Sequence, residues 1–226
     1  TLAGTVALYI VVPKGFFPVQ DTGVILGISE APQNISFAEM AERQKALAEE
    51  ILSRWNSTDG MLAQLSKFPN KRYADSHEAI AELLRVQVTA LDSLKKKLGT
   101  PLGRQTKGAP QPFQADAWRS KSSLSSLEAS LASAETVWSG VDNHGLRGLL
   151  PAEQKPLAEK IDAAYAASRK LLSALKPPLA DLLASEEGHQ QLNAFYDSLN
   201  VVHRLHEGEL AKALGIQLGF NANDGD

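Results

Sequence analysis

The chain has 226 residues and a formal charge of -3, from 26 acidic side chains against 23 lysines and arginines. A chain of this size buries about 70% of the surface that its unfolded form exposes, so its folding needs neither a disulfide nor a metal ion. It contains no cysteine, which excludes thiol nucleophiles, iron–sulfur clusters and cysteine zinc sites. The slight acidic excess is not the charge of a nucleic-acid-binding domain, and we expect no nucleic-acid partner.

The first 35 residues are predicted to form a short extended appendage. Residues 2–12 are apolar but too few to span a membrane, which takes about 20. Residues 23–28 have the length and branching of a short buried strand. An exposed apolar strand associates readily, so we expect residues 2–28 to lie on the rest of the fold, pair as a hairpin or mediate self-association. The chain begins with Thr1 rather than Met, which we interpret as a fragment or a processed product.

From Ser36 onwards the apolar residues follow the 3.6-residue period of α-helices. Ser36 with Glu39, and Asp75 with Glu78, have the spacing of helix-capping boxes. The predicted helices cover residues 36–55, 75–99, 115–139, 152–175 and 187–214. Long helices with one apolar stripe pack side by side. The sequence therefore predicts an all-α fold: an antiparallel bundle of the last four helices with the first packed on it. We divide the chain into an appendage, 1–35, and a helical domain, 36–226.

The opening resembles a family of membrane transporters. Residues 1–50, with the string VPKGFFPVQDTGVILGISEAPQNISFAEM, are similar to a piece of a resistance-nodulation-division efflux permease. In that family the segment leads from a transmembrane helix into the periplasmic porter region. The proton-relay carboxylates and the drug pocket of such pumps belong to other segments, so the resemblance implies no transport activity for this chain.

The remainder resembles a different family. Residues 52–226 are similar to the C-terminal half of imelysin-like proteins, through the strings KLGTPLG, AWRSKSSL and the terminal LGIQLGFNANDGD. This resemblance implies an all-helical protein of the bacterial periplasm or cell envelope, associated with iron uptake. The family carries a metallopeptidase label, and its candidate metal motif, Gly-x-His-x-x-Glu, belongs to the first half. The intact family protein is therefore expected to bind iron or another divalent metal.

The 226 residues do not contain that motif. Gly188 and His189 are followed by two glutamines and a leucine, so the required Glu is missing. His206 and Glu209 have the spacing His-x-x-Glu, but Leu205 precedes the histidine in place of glycine. We therefore predict a non-catalytic half that binds no cofactor by itself and pairs with the missing N-terminal half or with another envelope protein.

Three further groups of residues are candidate sites. His203, His206 and Glu209 recur at helical spacing, which would place them on one face near a common cation. A solvated polar face near the end of a helix is the simpler interpretation. In the tail, the oxygen-bearing side chains suit Ca²⁺, but no EF-hand pattern is met, so we favour a structural role for Asn221, Asn223, Asp224 and Asp226.

The last candidate site is the string AWRSKSSL, which carries the resemblance to imelysin-like proteins. It follows the long irregular connection over residues 99–114, and connections of that length are often functional. Arg119 offers a planar fork of donors to a carboxylate or an anion, and Ser120 and Ser123 can form hydrogen bonds at a helix start. Capping, with Trp118 in the core, is the structural alternative. The functional hypothesis is that these residues line a cleft that faces the missing half. For the chain as a whole, two other functions remain open: a permease fragment without transport activity, and a helical interaction module of the periplasm.

Overall fold

The computed structural model describes residues 36–218. Within these residues the chain is helical and forms no strand. The predicted appendage, its strand over residues 23–28 and the tail from residue 219 lie outside the described residues. Among the described helices, none combines the length and the apolar character that a membrane span requires.

The α-helices are named here in chain order. They are α1 Phe37–Trp55, α2 Met61–Ser66, α3 Ser76–Gly99, α4 Ser123–Ser139, α5 Lys155–Ala174, α6 Leu179–Leu183 and α7 Glu186–Arg204. A π-helical turn, Leu205–Leu210, follows α7 directly and leads into the short helix α8, Ala211–Ala213. In the described part of the chain, four 3₁₀ turns occupy the connections: Pro112–Gln114, Val141–Asn143, Leu146–Leu149 and Ala152–Gln154.

Helices α3, α4, α5 and α7 form an antiparallel bundle. They pack in a closed ring, in which α3 contacts α4, α4 contacts α5, α5 contacts α7 and α7 returns to α3. Lys97 near the end of α3 pairs with Asp116 ahead of α4, and Lys160 early in α5 pairs with Glu209 just after α7. These pairs join the end of one helix to the beginning of its neighbour. The predicted all-α antiparallel bundle is therefore confirmed.

Helix starts follow the capping chemistry of the sequence. The Ser36 hydroxyl accepts a hydrogen bond from the amide of Glu39 at 3.1 Å, and the Asp75 carboxylate accepts one from the amide of Glu78 at 3.0 Å. Each bond satisfies an amide that has no partner within its own helix. The Glu78 carboxylate in turn accepts from the amide of Ala74 at 2.7 Å. The predicted starts of α1 and α3 are confirmed.

The prediction that the third long helix begins near residue 115 is wrong. Helix α4 starts at Ser123, and the preceding residues form turns. Ala117 and Lys121 have φ angles of 54° and 58°. A right-handed helix cannot continue through residues in this left-handed conformation.

The prediction that the first helix packs on the bundle is also wrong. The apolar side chains of α1 are largely in solvent, with Leu47 50%, Ile51 43% and Trp55 44% exposed. Helix α1 packs against the short helix α2 instead. The four bundle helices turn their apolar stripes toward one another in a closed ring, so their core is complete without α1.

Candidate functional site

The segment between the 3₁₀ turn Pro112–Gln114 and α4 places Arg119 on the surface. The Arg119 guanidinium lies over the ring of Trp118, 4.5 Å from its centroid, and the same indole meets Phe113 edge-on at 5.0 Å. Trp118 is half-buried and packs against the bundle core, so it is a rigid support. Among residues 36–218, no carboxylate pairs with Arg119, so its donors face solvent. A stacked, unpaired guanidinium is arranged to receive a planar carboxylate or another anion.

The two serines of this candidate cleft hold the turn. The Ser120 hydroxyl donates to the carbonyl of Ala117 at 3.0 Å, and the Ser123 hydroxyl donates to the carbonyl of Asp116 at 2.5 Å. Ser123 is buried and Ser120 is exposed. Neither hydroxyl accepts a bond from an amide at the start of α4, so the expected capping is not found. Of the three predicted cleft residues, only Arg119 has a polar group without a hydrogen-bond partner among residues 36–218.

His203, His206 and Glu209 do not converge on one cation. His203 faces α3, where its Nδ1 lies 3.3 Å from the Lys95 ammonium. His206 faces α4 and α5, whereas Glu209 is half-exposed and pairs with Lys160 at 2.5 Å. The π-helical turn takes in an extra residue per turn, which rotates Glu209 away from the direction expected for an α-helix.

Nor do these histidines form a solvated polar face. His206 is 0% exposed and His203 is 6% exposed. Both therefore belong to the interior of the bundle, and the interpretation of a polar surface near the helix end is wrong. In the part of the chain that the structure describes, no group of three His, Asp or Glu side chains is close enough to hold a metal ion.

His206 is the centre of a buried polar network. Its Nδ1–H donates to the carbonyl of Val202 at 2.9 Å, and its Nε2 accepts from the Tyr165 hydroxyl at 3.4 Å. The Gln87 amide donates both to that hydroxyl, at 3.0 Å, and to the carbonyl of Ala134, at 2.7 Å. The network therefore joins all four bundle helices. Burial lowers the pKa of His206 from 6.5 to about 4 and raises the pKa of Tyr165, so both are neutral.

His203 sits in a charged setting. Burial, and then the nearby Lys95 ammonium, lower the pKa of His203 to about 4. The ammonium donates to Nδ1, which leaves the proton on Nε2, and this buried nitrogen has no partner among the described residues. Burial opposes ionisation of Asp92, but its hydrogen bond to Lys96 and the charges of Lys96 and Lys95 hold its pKa below the usual value. The site thus contains a fixed carboxylate, a fixed ammonium and a neutral imidazole.

Sequence analysis did not single out Gln87, Tyr165 or Lys95. A signal for Gln87 was present, because it occupies a helix position that continues the apolar stripe of Leu84, Val88 and Leu91. A polar side chain on such a stripe must be hydrogen-bonded in the core. The candidate tail residues Asn221, Asn223, Asp224 and Asp226 lie outside the described residues.

The comparison with known families agrees with this architecture. The model of the peptidase M75 family, imelysin, matches residues 36–206, about three quarters of the chain. The chain belongs to the imelysin family. The match confirms the resemblance seen in residues 52–206 and extends it to residue 36, which lies inside the permease-like segment. It gives no support to the resemblance to a permease, and no solved structure matches the chain.

Proposed function

We propose that this chain is a non-catalytic, docking half of an imelysin-type envelope protein associated with iron uptake. In this proposal the metal motif Gly-x-His-x-x-Glu is supplied by a separate segment, and the chain contributes a rigid bundle and an anion-binding surface. The family match supports the imelysin part of this assignment. Permease activity is not part of the proposal, because the family match gives the permease resemblance no support.

The stacked Arg119 is the single observation that carries the docking role. Its side chain is exposed, its orientation is set by Trp118, and the described residues offer it no carboxylate. Holding an arginine in place beforehand reduces the side-chain entropy that binding would cost. Such a side chain is suited to a carboxylate of the segment that bears the metal motif.

Among residues 36–218, the candidate metal ligands do not form an iron site. His203 and His206 are buried in different directions, and Lys95 occupies the space beside the Nδ1 atom of His203. Glu209 is engaged by Lys160 on the surface. Without a metal site we expect no peptidase activity from this chain alone, and iron is expected to bind only through the partner segment.

Binding of an imelysin segment that contains Gly-x-His-x-x-Glu tests the docking role. We expect Arg119→Ala to weaken this binding by more than about tenfold, because a charge-assisted bond is lost. Arg119→Lys should restore it only in part, since an ammonium lacks the planar fork. Lys170→Ala, which removes an exposed cation on α5, is the matched control and should leave the affinity unchanged. Equal affinity for the wild type and Arg119→Ala would contradict the proposal.

A helical interaction module of the periplasm is the second candidate function. The exposed apolar side chains of α1, among them Ile51 and Trp55, favour it. A module that docks through α1 would lose its partner with Ile51→Ser and Trp55→Ser but retain it with Arg119→Ala. The opposite pattern supports the docking half.

A further inference from the structure

Two buried histidines lie at the junction of α7 and the π-helical turn. His203 is held against α3 and His206 is enclosed between α4 and α5. The segment that follows, residues 205–218, contributes the buried side chains Leu210, Ala211 and Ile216. After the three residues of α8 the described chain is no longer helical, so the last of these side chains is held by side-chain packing and not by a helix.

We infer that residues 203–218 form an acid-sensitive latch, which protonation of His203 and His206 releases from the bundle while α3, α4 and α5 remain folded. This inference is independent of the docking role of Arg119. It concerns a conformational change within the bundle, which the binding of protons to two histidines triggers.

The surroundings of His206 disfavour the protonated, positively charged form of its ring. Its ring meets Trp138 and Tyr165 edge-on, at 5.5 Å and 5.6 Å between centroids, and no carboxylate contacts it among the described residues. The Tyr165 hydroxyl already accepts a bond from Gln87. The charge of the Glu135 carboxylate contributes to the raised pKa of Tyr165, and this carboxylate forms an ion pair with Arg169.

The surroundings of His203 are mixed but also favour the neutral form. On α3, the Lys95 ammonium opposes a second cation and Asp92 attracts one, but Asp92 is shared between Lys95 and Lys96. On its own helix, Arg204 and His206 oppose the charge. The Glu207 carboxylate lies 3.7 Å from Nδ1 but is 44% exposed, so solvent screens it.

The direction of the pH effect follows from these environments. An unfolded segment binds each proton with a pKa near 6.5, whereas the closed latch binds it only near pH 4. The open form therefore holds more protons between these values, and the latch loses stability as the pH falls from about 6.5 to about 4. Burial opposes the ionisation of Asp92, but Lys96 and Lys95 hold the pKa of its carboxyl below the usual value, so Asp92 acts against the effect of the histidines on the latch.

The geometry explains why the opening is local. The π-helical turn Leu205–Leu210 has the longer i→i+5 hydrogen bonds, and only the three residues of α8 continue the helix after it. His206 lies in this turn and His203 lies two residues before it, at the end of α7, so unwinding of residues 203–218 would expose both imidazoles. Helices α3, α4 and α5 need not separate from one another, and local openings of this kind cost less than global unfolding.

Hydrogen exchange measured by mass spectrometry at pH 7.0 and pH 4.5, corrected for intrinsic rates, tests the latch. We expect the protection of amides 205–216 to fall by more than about tenfold at the lower pH, while amides 84–98 and 157–172 change much less. The double variant His203→Gln/His206→Gln should abolish the fall. The control His77→Gln/His144→Gln, which replaces two exposed histidines, should retain it.

Two results would overturn the inference. One is an equal loss of protection in α3, α5 and the latch, which would mean global acid unfolding. The other is a fall that persists in the double variant. Should that variant fail to fold at pH 7, histidine ring NMR of the wild type decides: titration of His203 and His206 well below pH 6 supports the latch, and titration of both near pH 6.5 contradicts it.

Discussion

Gln87 shows how a single polar side chain can organise this core. It is 3% exposed, and its side-chain amide donates hydrogen bonds to two groups of other helices, the Tyr165 hydroxyl and the Ala134 carbonyl. A buried carbonyl or hydroxyl that loses its partner costs more than a surface hydrogen bond contributes. The residue is therefore structural, and it also positions the hydroxyl that faces His206.

Replacing this amide by a side chain of similar size tests that role. We expect Gln87→Leu to lower the free energy of unfolding by about 2 kcal/mol, because the Ala134 carbonyl and the Tyr165 hydroxyl lose a donor. Urea denaturation followed by circular dichroism measures the change. Gln190→Leu, at an exposed position of α7, is the control and should stay within about 0.5 kcal/mol. A Gln87→Leu protein as stable as the wild type would show that the network contributes nothing to folding.

Other residue-scale features were beyond sequence analysis. Helical spacing placed His203 and His206 on one face, but it could not show that both are buried and turned toward different helices. Arg119 was predicted as a recognition residue from the family motif that follows a long connection. The sequence did not show that Arg119 stacks on Trp118 or that Ala117 and Lys121, on either side of the pair, have left-handed backbone conformations. Residue types do not reveal such turns when the residues are Ala117 and Lys121 rather than glycine.

At the scale of elements, capping chemistry and apolar period predicted much of the helical pattern. Ser36 and Asp75 start their helices as expected, and α5 begins at Lys155 after a 3₁₀ turn over the predicted first residues. The short helices α2 and α6 were missed because five or six residues carry too little periodicity. The exposure of α1 was missed because an apolar stripe shows which face of a helix is suited to burial. It does not show which other element, if any, packs against that face.

The start of α7 provides a test of element packing. A Cβ atom added at Gly188 would lie 2.3 Å from the carbonyl oxygen of Leu182 in α6, a backbone atom that cannot move aside without shifting the helix. We expect Gly188→Ala to destabilise the fold by about 2 kcal/mol or more. Thermal unfolding is the measurement.

Gly208 is the matched control for that substitution. It lies in the π-helical turn, and a Cβ atom there would meet nothing within 4 Å. Gly208→Ala should be neutral or stabilising by up to about 1 kcal/mol, since alanine reduces the freedom of the unfolded chain. Equal effects of the two substitutions would contradict the close packing of α6 on α7.

At the scale of the whole molecule, a closed ring of helices determines which of the candidate side chains are buried and which are exposed. The ring turns its apolar stripes inward and buries the two histidines that the sequence offered as metal ligands. Arg119, which is stacked on Trp118, and the apolar face of α1 lie outside the ring and are exposed. The fold class could be predicted because periodicity is a property of each helix. The proposed partner stays a prediction, because it depends on groups outside this chain.

Iron titration by calorimetry tests the central claim most directly. It compares this chain alone, an imelysin segment bearing Gly-x-His-x-x-Glu alone, and the two together. We expect the chain alone to bind iron no more tightly than about millimolar, and the mixture to bind more than about tenfold more tightly than the segment, because docking orders the metal motif. Arg119→Ala in the mixture should remove this gain. Stoichiometric micromolar binding of iron by the chain alone would contradict the account.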